Sequence, residues 1–455
     1  MHDTTPFWSP ETRFWIGEPE KAQSISIPEL IRASVPGALN RMQDIADGDS
    51  GVVVVAESSS VPRLIAGAMV SWLAGHIPLP LWRQNAATVA QAIREQQAVA
   101  LFSDGIVMPG AGSAGPVADG VDYILPSSGT TRGDVRWIGG TAPRVTVSEY
   151  AAAPKAGDRV LVDAAPDGLG FATLVETLAS GGEYLCLAPF DTERWFYAVE
   201  TFRPTFVRTV PIHMDWIRTS QRFEAATLDS IRVLHHSGSR LRESVRAAWS
   251  DRIGAVHLIE TYACKEGLHT TMIAGDEWLS HPGSVGRVAR GTIRLLTADG
   301  GVVSTGAGEI VAQRLDPRRK VPLESVTDDG RTFYRTGDMG TIDDDGYLFV
   351  NARIGDEERV NGVWVDLNRI AAEIQGFQGI RDCFARVAST AGGTEHLVVE
   401  VEAVDGADTD ALRAAIRDHC RALRIVHSIN VQNAPLPRDA SGKIRRSTMR
   451  FAETA

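Results

Sequence analysis

Short β-branched runs alternate with longer amphipathic segments along most of the chain, and this alternation constrains the fold more than any other feature. Val52–Val55 predicts a strand, followed by helices over Arg63–Ala74 and Ala87–Gln97. Strand patterns recur at Ala98–Phe102, Tyr123–Leu125, Val160–Val162, Glu183–Leu187, Thr205–Val210, Ile231–Leu234 and Val256–Ile259. Helical patterns lie between several of them, at Phe171–Ala179, Thr192–Thr201 and Leu241–Trp249. Strands separated by helices pair in parallel, so the pattern predicts an α/β fold with packed, largely parallel sheets. Ligand sites in such sheets lie in loops beyond the strand ends.

The texture changes twice. After Gly291, Gly and Asp become dense between short alternating runs (Ala298–Gly308, Asp328–Gly330, Asp343–Gly346), which predicts hairpins. From about Glu357 the pattern reads helix Leu367–Gln375, strand Asp382–Val387, strand His396–Ala403, helix Asp408–Arg421 and strand Ile425–Val431, a small α+β unit. With 455 residues, the chain exceeds the roughly 250–300 at which a single core stops growing. The expected organisation is a large N-terminal domain over 1–352, a boundary at 353–356 (Arg353-Ile354-Gly355-Asp356) and a C-terminal domain over 357–455.

Charge and hydropathy exclude some functions. A net charge of −11 argues against a nucleic-acid or anionic-membrane partner, because phosphate neutralisation needs clustered cations. The longest apolar stretch, about Leu64 to Ile77, is interrupted by Ser71 and His76 and is too short for a span. Cys186, Cys264, Cys383 and Cys420 stand far apart, as buried free thiols rather than disulfides or a zinc site. No secretory signal is expected at the N-terminus, so the chain reads as cytoplasmic. Lysine is scarce: Lys21, Lys155, Lys265, Lys320 and Lys443 are the five among 46 basic residues, which raises the interest of each.

Several loops hold the residue types that chemistry needs. Ser127-Ser128-Gly129-Thr130-Thr131 follows a strand pattern and offers backbone and hydroxyl donors to a phosphate. Ser237-Gly238-Ser239 and Tyr262 end two further strands, where an aromatic ring beside small-residue backbone can sandwich a planar base. Glu266 is a candidate metal ligand, and Asp338 in Tyr334-Arg335-Thr336-Gly337-Asp338 a candidate acceptor for a ribose diol. Ser441-Gly442-Lys443 places a scarce lysine in a turn near the C-terminus.

In this order the segments resemble those of the adenylate-forming superfamily of acyl- and aryl-CoA ligases, peptide-synthetase adenylation domains and firefly luciferase. Ser127–Thr131 resembles its S-S-G-T-T phosphate loop and Tyr262–Glu266 its Y-G-x-T-E segment. Tyr334–Asp338 matches Y-R-T-G-D, Arg353 with Asp356, Gly362 and Ile370 resembles the hinge motif, and Ser441–Lys443 the terminal N-G-K. The resemblance implies ATP-dependent activation of a carboxylic acid as an acyl-adenylate with release of pyrophosphate, then transfer to a thiol of CoA or of phosphopantetheine on a separate acyl carrier protein. It also implies a mobile C-terminal domain that carries Lys443 to the reacting oxygens. By the same resemblance Glu266 binds Mg²⁺, Asp338 the ribose, Arg353 helps fix the nucleotide, Gly362 lines the thiol tunnel, and His236 lies near the acid.

The sequence departs from this pattern at informative places. Arg132 and Val135 replace the phosphate loop's glycine and lysine, and Gly355 stands at the hinge pivot. Lys265 replaces a threonine that donates to the α-phosphate; it is either a charged contact to that phosphate or a partner of Glu266 or Asp338. Asp167 stands near a position where peptide-synthetase domains bind an amine, so it either contacts an amine-bearing substrate or caps the following helix. Two alternatives therefore remain beside thiol ligation: an amino-acid substrate or amine acceptor, and a nucleotide-binding member without catalysis. The acid and the oligomeric state are not legible.

Overall fold

The computed structural model describes residues 7–16, 22–45, 50–110, 112, 121–126, 135–142, 153–264, 266–315, 323–354, 357–360, 363–389, 395–422, 427–438 and 444. Two compact units are present. One runs to Ala289 and includes 313–323; the other comprises 290–312 and 324–439.

The first unit is α/β. Its larger sheet has eight strands in the order Thr271–Ala274, Leu258–Tyr262, Val233–Ser237, Phe206–Thr209, Arg159–Val162, Glu183–Cys186, Arg13–Ile16, Gln23–Ser26. All neighbours are parallel except the two outermost pairs. Both faces of the central strands are buried, which is why they read as near-continuous apolar runs. Val160, Val162 and Phe206 pack with Phe171, Leu174 and Leu178 of the Leu169–Ser180 helix. Leu161, Val207 and Leu234, on the alternate face, pack with Trp195, Phe196, Met214 and Trp249. Such alternation follows from the two-residue repeat of a strand.

A second sheet in this unit has the order Ile77–Trp82, Val52–Glu57, Ala100–Ser103, Ile106–Pro109, the first three parallel. Local sequence fixes the helices that follow. Ser60 accepts from Arg63 N and Pro62 opens the Val61–Leu73 helix; Asp191 accepts from Arg194 N ahead of Thr192–Phe202.

The second unit contains antiparallel strands Ile293–Leu296, Val302–Val303, Gly306–Ala312, Ser325–Asp328, Arg331–Ile342 and Leu348–Arg353, as the dense Gly and Asp predicted. It also contains a three-stranded sheet of Ile380–Ser389, Glu395–Ala403 and His427–Gln432, with helices Leu367–Gln375 and Thr409–Ala422. Ile370, Ile374, Val399, Val401 and Ile416 form its core. Arg353 ends a strand of this unit, and residues 355 and 356 lie outside those described. No helix among the described residues is long and apolar enough to cross a membrane.

Candidate active site

In the first unit the expected nucleotide residues leave adjacent strand ends. Ser237 is registered against Thr261, so Ser237–Ser239 and Tyr262 emerge side by side at the carboxyl edge of the parallel strands. Gly238 turns the chain there with φ +95°, a conformation that disfavours a side chain.

The strand begins and ends later than its apolar run, at Val233–Ser237 rather than Ile231–Leu234, so both histidines belong to it. Alternation sends them to opposite faces. His236, expected near the acid, has no exposed surface and lies on the face that carries Leu234 and Leu258. Among the described residues neither ring nitrogen has a hydrogen-bond partner, and Nε2 is 3.9 Å from Glu260 Oε2. Burial, with the Arg246 charge, holds its pKa well below the usual value and the ring neutral. Arg246 pairs with Glu260 and lies 4.4 Å from the Trp278 ring. His235 is buried on the other face, its Nε2 2.7 Å from Thr261 Oγ1; burial, then Arg208 and His236, keep it neutral too.

Asp167 does not occupy the N-cap position of the following helix. Gly168 is the N-cap of Leu169–Ser180 and has no side-chain cap. The buried Asp167 Oδ2 accepts from Trp82 N at 2.9 Å and Gln84 Nε2 at 3.1 Å, joining the loop after Arg159–Val162 to the end of the Ile77–Trp82 strand. Glu266 occupies the turn after Tyr262. Burial, and then the Glu266 charge, push the nearby Cys264 thiol up to about 12.

A pair absent from the sequence reading is Asp163–His213, with Oδ1 and Nδ1 3.0 Å apart. The imidazole stacks on Phe190 at 3.9 Å, and both side chains are buried. Its signal was an acidic residue directly after an apolar strand.

In the second unit Asp338 owes its position to an irregular ladder. Glu309 is registered with Met339 and Val311 with Arg335, so Thr336-Gly337-Asp338 bulges from the Arg331–Ile342 strand. Gly337 is left-handed, φ +77°, and its carbonyl accepts from Ile354 N at 2.7 Å. On the other side Asp338 is registered with Arg353, and their side chains approach to 3.7 Å.

Ser127, Ser128, Gly129, Thr130, Thr131, Lys265, Gly362 and Lys443 lie outside the described residues. Among the described residues, no group of three or more His, Cys, Asp and Glu is placed to hold a metal. A single carboxylate such as Glu266 still fits Mg²⁺, which takes one or two carboxylates together with water and substrate phosphates.

Residues 150–314 match the family model for AMP-binding enzymes. This match places residues 150–314 in the AMP-binding, adenylate-forming superfamily. It is 27% identical over 285 residues to a feruloyl-CoA synthase of Amycolatopsis sp, covering 60% of this chain and 57% of that protein. It is 26% identical over 273 residues to the 3-hydroxybenzoate–CoA/4-hydroxybenzoate–CoA ligase of Thauera aromatica, covering 57% and 51%. The matches thus span little more than half the length of these relatives. Among solved structures, the fold is similar to that of the amide bond synthetase of Marinactinospora thermotolerans, with TM-score 0.70 and 21% identity over 92% of this chain and 93% of that one. It is also similar to an anthranilate CoA ligase in complex with anthranoyl-AMP, with TM-score 0.73 and 16% identity over 97% and 94%.

Proposed function

We propose that this chain activates a carboxylic acid with ATP. A carboxylate oxygen attacks the α-phosphorus, the bond to pyrophosphate breaks, and the acyl-adenylate forms. In the second step a thiol, of CoA or of a carrier protein's phosphopantetheine, displaces AMP. The bulge that projects Asp338 beside Arg353 is the observation that carries this reading. A carboxylate at that place accepts hydrogen bonds from a ribose diol, and the adjacent guanidinium adds charge for the phosphates. Ser237–Ser239 and Tyr262 would flank adenine, and Ser127–Thr131 would hold the departing phosphates.

The chemical obstacle is the approach of one anion to another. Cations aimed at the charge of the transition state remove it. Lys443 is assigned to bridge the carboxylate and α-phosphate oxygens, where a compact ammonium suits better than arginine's planar fork. Glu266 would hold Mg²⁺, which would supply positive charge to the phosphates. Lys265 adds a further cation near the α-phosphate on this reading.

The likeness to an amide bond synthetase supports a second reading of the later step, in which an amine takes the acyl group. Both readings share adenylation, so ATP–pyrophosphate exchange over aryl, fatty and amino acids tests the core of the proposal. Exchange with at least one acid is expected, falling about 10²–10³-fold in Lys443→Ala, the usual worth of a preorganised transition-state contact. Exchange that Lys443→Ala leaves unchanged across the panel would remove the proposal. Product analysis with CoA, carrier protein and amines separates the acceptors.

A further inference from the structure

A bulge removes backbone groups from their ladder partners, and buried groups of this kind need replacements. Opposite the Thr336–Asp338 bulge stands Glu309, with a side chain only 6% exposed. Its Oε2 accepts from Arg335 Nε at 2.7 Å and lies 2.6 Å from Nη2, while its Oε1 accepts from Gly337 N at 3.2 Å. The following residue, Ile310, gives its carbonyl to the Thr336 hydroxyl at 2.7 Å, and that hydroxyl accepts from Asp338 N at 3.1 Å. Both N–H groups leading into Asp338 are therefore anchored on Glu309-Ile310. Arg335 also donates to Glu324, an exposed residue that makes no hydrogen bond to Gly337 N.

We propose that Glu309 is a positioning residue for nucleotide recognition: by bridging the Arg335 guanidinium and the Gly337 N–H, it aims the Asp338 carboxylate at the ribose diol. The strand itself has no need of a carboxylate there, since Ile310, Val311 and Ala312 beside it are apolar and buried. Burying a charge is costly unless donors surround it, and the donors here are those of the bulge. Gly337, left-handed and without a side chain, is the softest link before Asp338, and Glu309 removes its freedom. This inference rests on the reading of Asp338 as the ribose ligand.

The test is equilibrium binding of ATP, 2′-deoxy-ATP and 3′-deoxy-ATP by calorimetry to the full chain, which needs no acid. The wild type is expected to prefer ATP by about tenfold or more, the worth of a hydrogen bond to a charged group. Asp338→Ala abolishes the preference. Glu309→Gln narrows it at least threefold, while Glu324→Gln, which acts on the same arginine, leaves it intact. A general loss of stability would weaken all three nucleotides alike and leave the ratio unmoved. Glu309→Asp keeps the charge but shortens the reach to Gly337 N; it is expected to narrow the ratio similarly and serves if Glu309→Gln does not fold. If Asp338→Ala abolishes the preference and the Glu309 variants retain it, the inference is overturned alone. If Asp338→Ala retains it, the ribose assignment falls and the inference with it.

Discussion

Replacing Arg246 by Met should destabilise the first unit strongly at neutral pH and much less in mild acid. Arg246 and Glu260 are paired with side chains 3% and 8% exposed, so neither charge has water to fall back on. Removing one partner of a buried pair costs about 3–5 kcal/mol, mostly the penalty of the stranded charge. At about 2–4 °C per kcal/mol for a unit of this size, the midpoint should fall by roughly 6–20 °C. The pH dependence follows from Glu260. Its carboxyl is raised above the usual 4.5 by burial, against the opposing pull of Arg246. A raised acid contributes stability that is complete below its unfolded value and is lost as pH rises through its folded value. Without Arg246 the folded value rises further, so the variant keeps losing stability at a pH where the wild type has stopped. The gap between the two should therefore be smaller at pH 6 than at pH 8.5.

His236, 3.9 Å from Glu260, does not reverse this sign. With the Arg246 charge gone it accepts a proton more readily and pairs with Glu260, and that route too is favoured in acid. Urea unfolding followed by tryptophan fluorescence at the two pH values measures the gap. Arg246→Met/Glu260→Met, which removes both charges, should recover most of the loss. A gap that does not change with pH, or a double variant no more stable than the single one, would refute the reasoning.

Two other predictions concern the strand-end loops. Cys264, with its thiol near 12, should react with iodoacetamide at pH 7.5 about 50-fold more slowly than a free cysteine, after its greater intrinsic nucleophilicity is allowed for. Peptide mapping locates the label, and modification at the rate of a free thiol would contradict the raised thiol pKa. Asp167→Ala should cost about 1–3 kcal/mol by leaving Trp82 N unpaired, whereas Asp167→Asn keeps an acceptor and should cost under about 1 kcal/mol. If the carboxylate also meets a substrate amine, Asp167→Asn abolishes exchange with amino acids and spares plain aryl acids; equal exchange with every acid excludes that role.

Elements whose cause is local were legible. Leu367–Gln375 was read to the residue because Asp366 caps its start, accepting from Arg369 N, and Gly376 follows its end. Ile77–Trp82 was not, since Pro78 and Pro80 argue against a strand. Its place resolves the conflict: among the described residues it pairs with Val52–Glu57 alone, and two prolines of equal parity turn their missing N–H groups away from that partner. Arg13–Ile16 joins the sheet through Glu183–Cys186, a partner far along the chain that no local pattern indicates. At the site, residue types were legible and register was not. Tyr334–Asp338 stood out as a motif, but its bulge exists only relative to Glu309 on another strand. The strand pattern Ile231–Leu234 stops short of His235 and His236 because two polar residues interrupt the apolar run; tertiary burial overrides that signal.

The two units meet the same physical requirement by similar means. A residue that touches a nucleotide must face solvent before the ligand arrives, so it cannot be fixed by its own burial. Tyr262 and Asp338, both proposed to touch the nucleotide, lie next to backbone held by a buried glutamate that pairs with an arginine: Glu260 with Arg246 two residues before Tyr262, and Glu309 with Arg335 opposite Asp338. An apolar side chain at Glu260 or Glu309 would pack but would tolerate a shift of register, because dispersion contacts have no direction. A guanidinium–carboxylate contact is lost when the strand slides by one residue, which turns every side chain to the opposite face. At Glu309 the constraint is tighter, because the same carboxylate also takes the Gly337 N–H, so charge pairing and backbone placement depend on one side chain. Such a device costs stability compared with an apolar core and contributes a defined position for the residue beyond it.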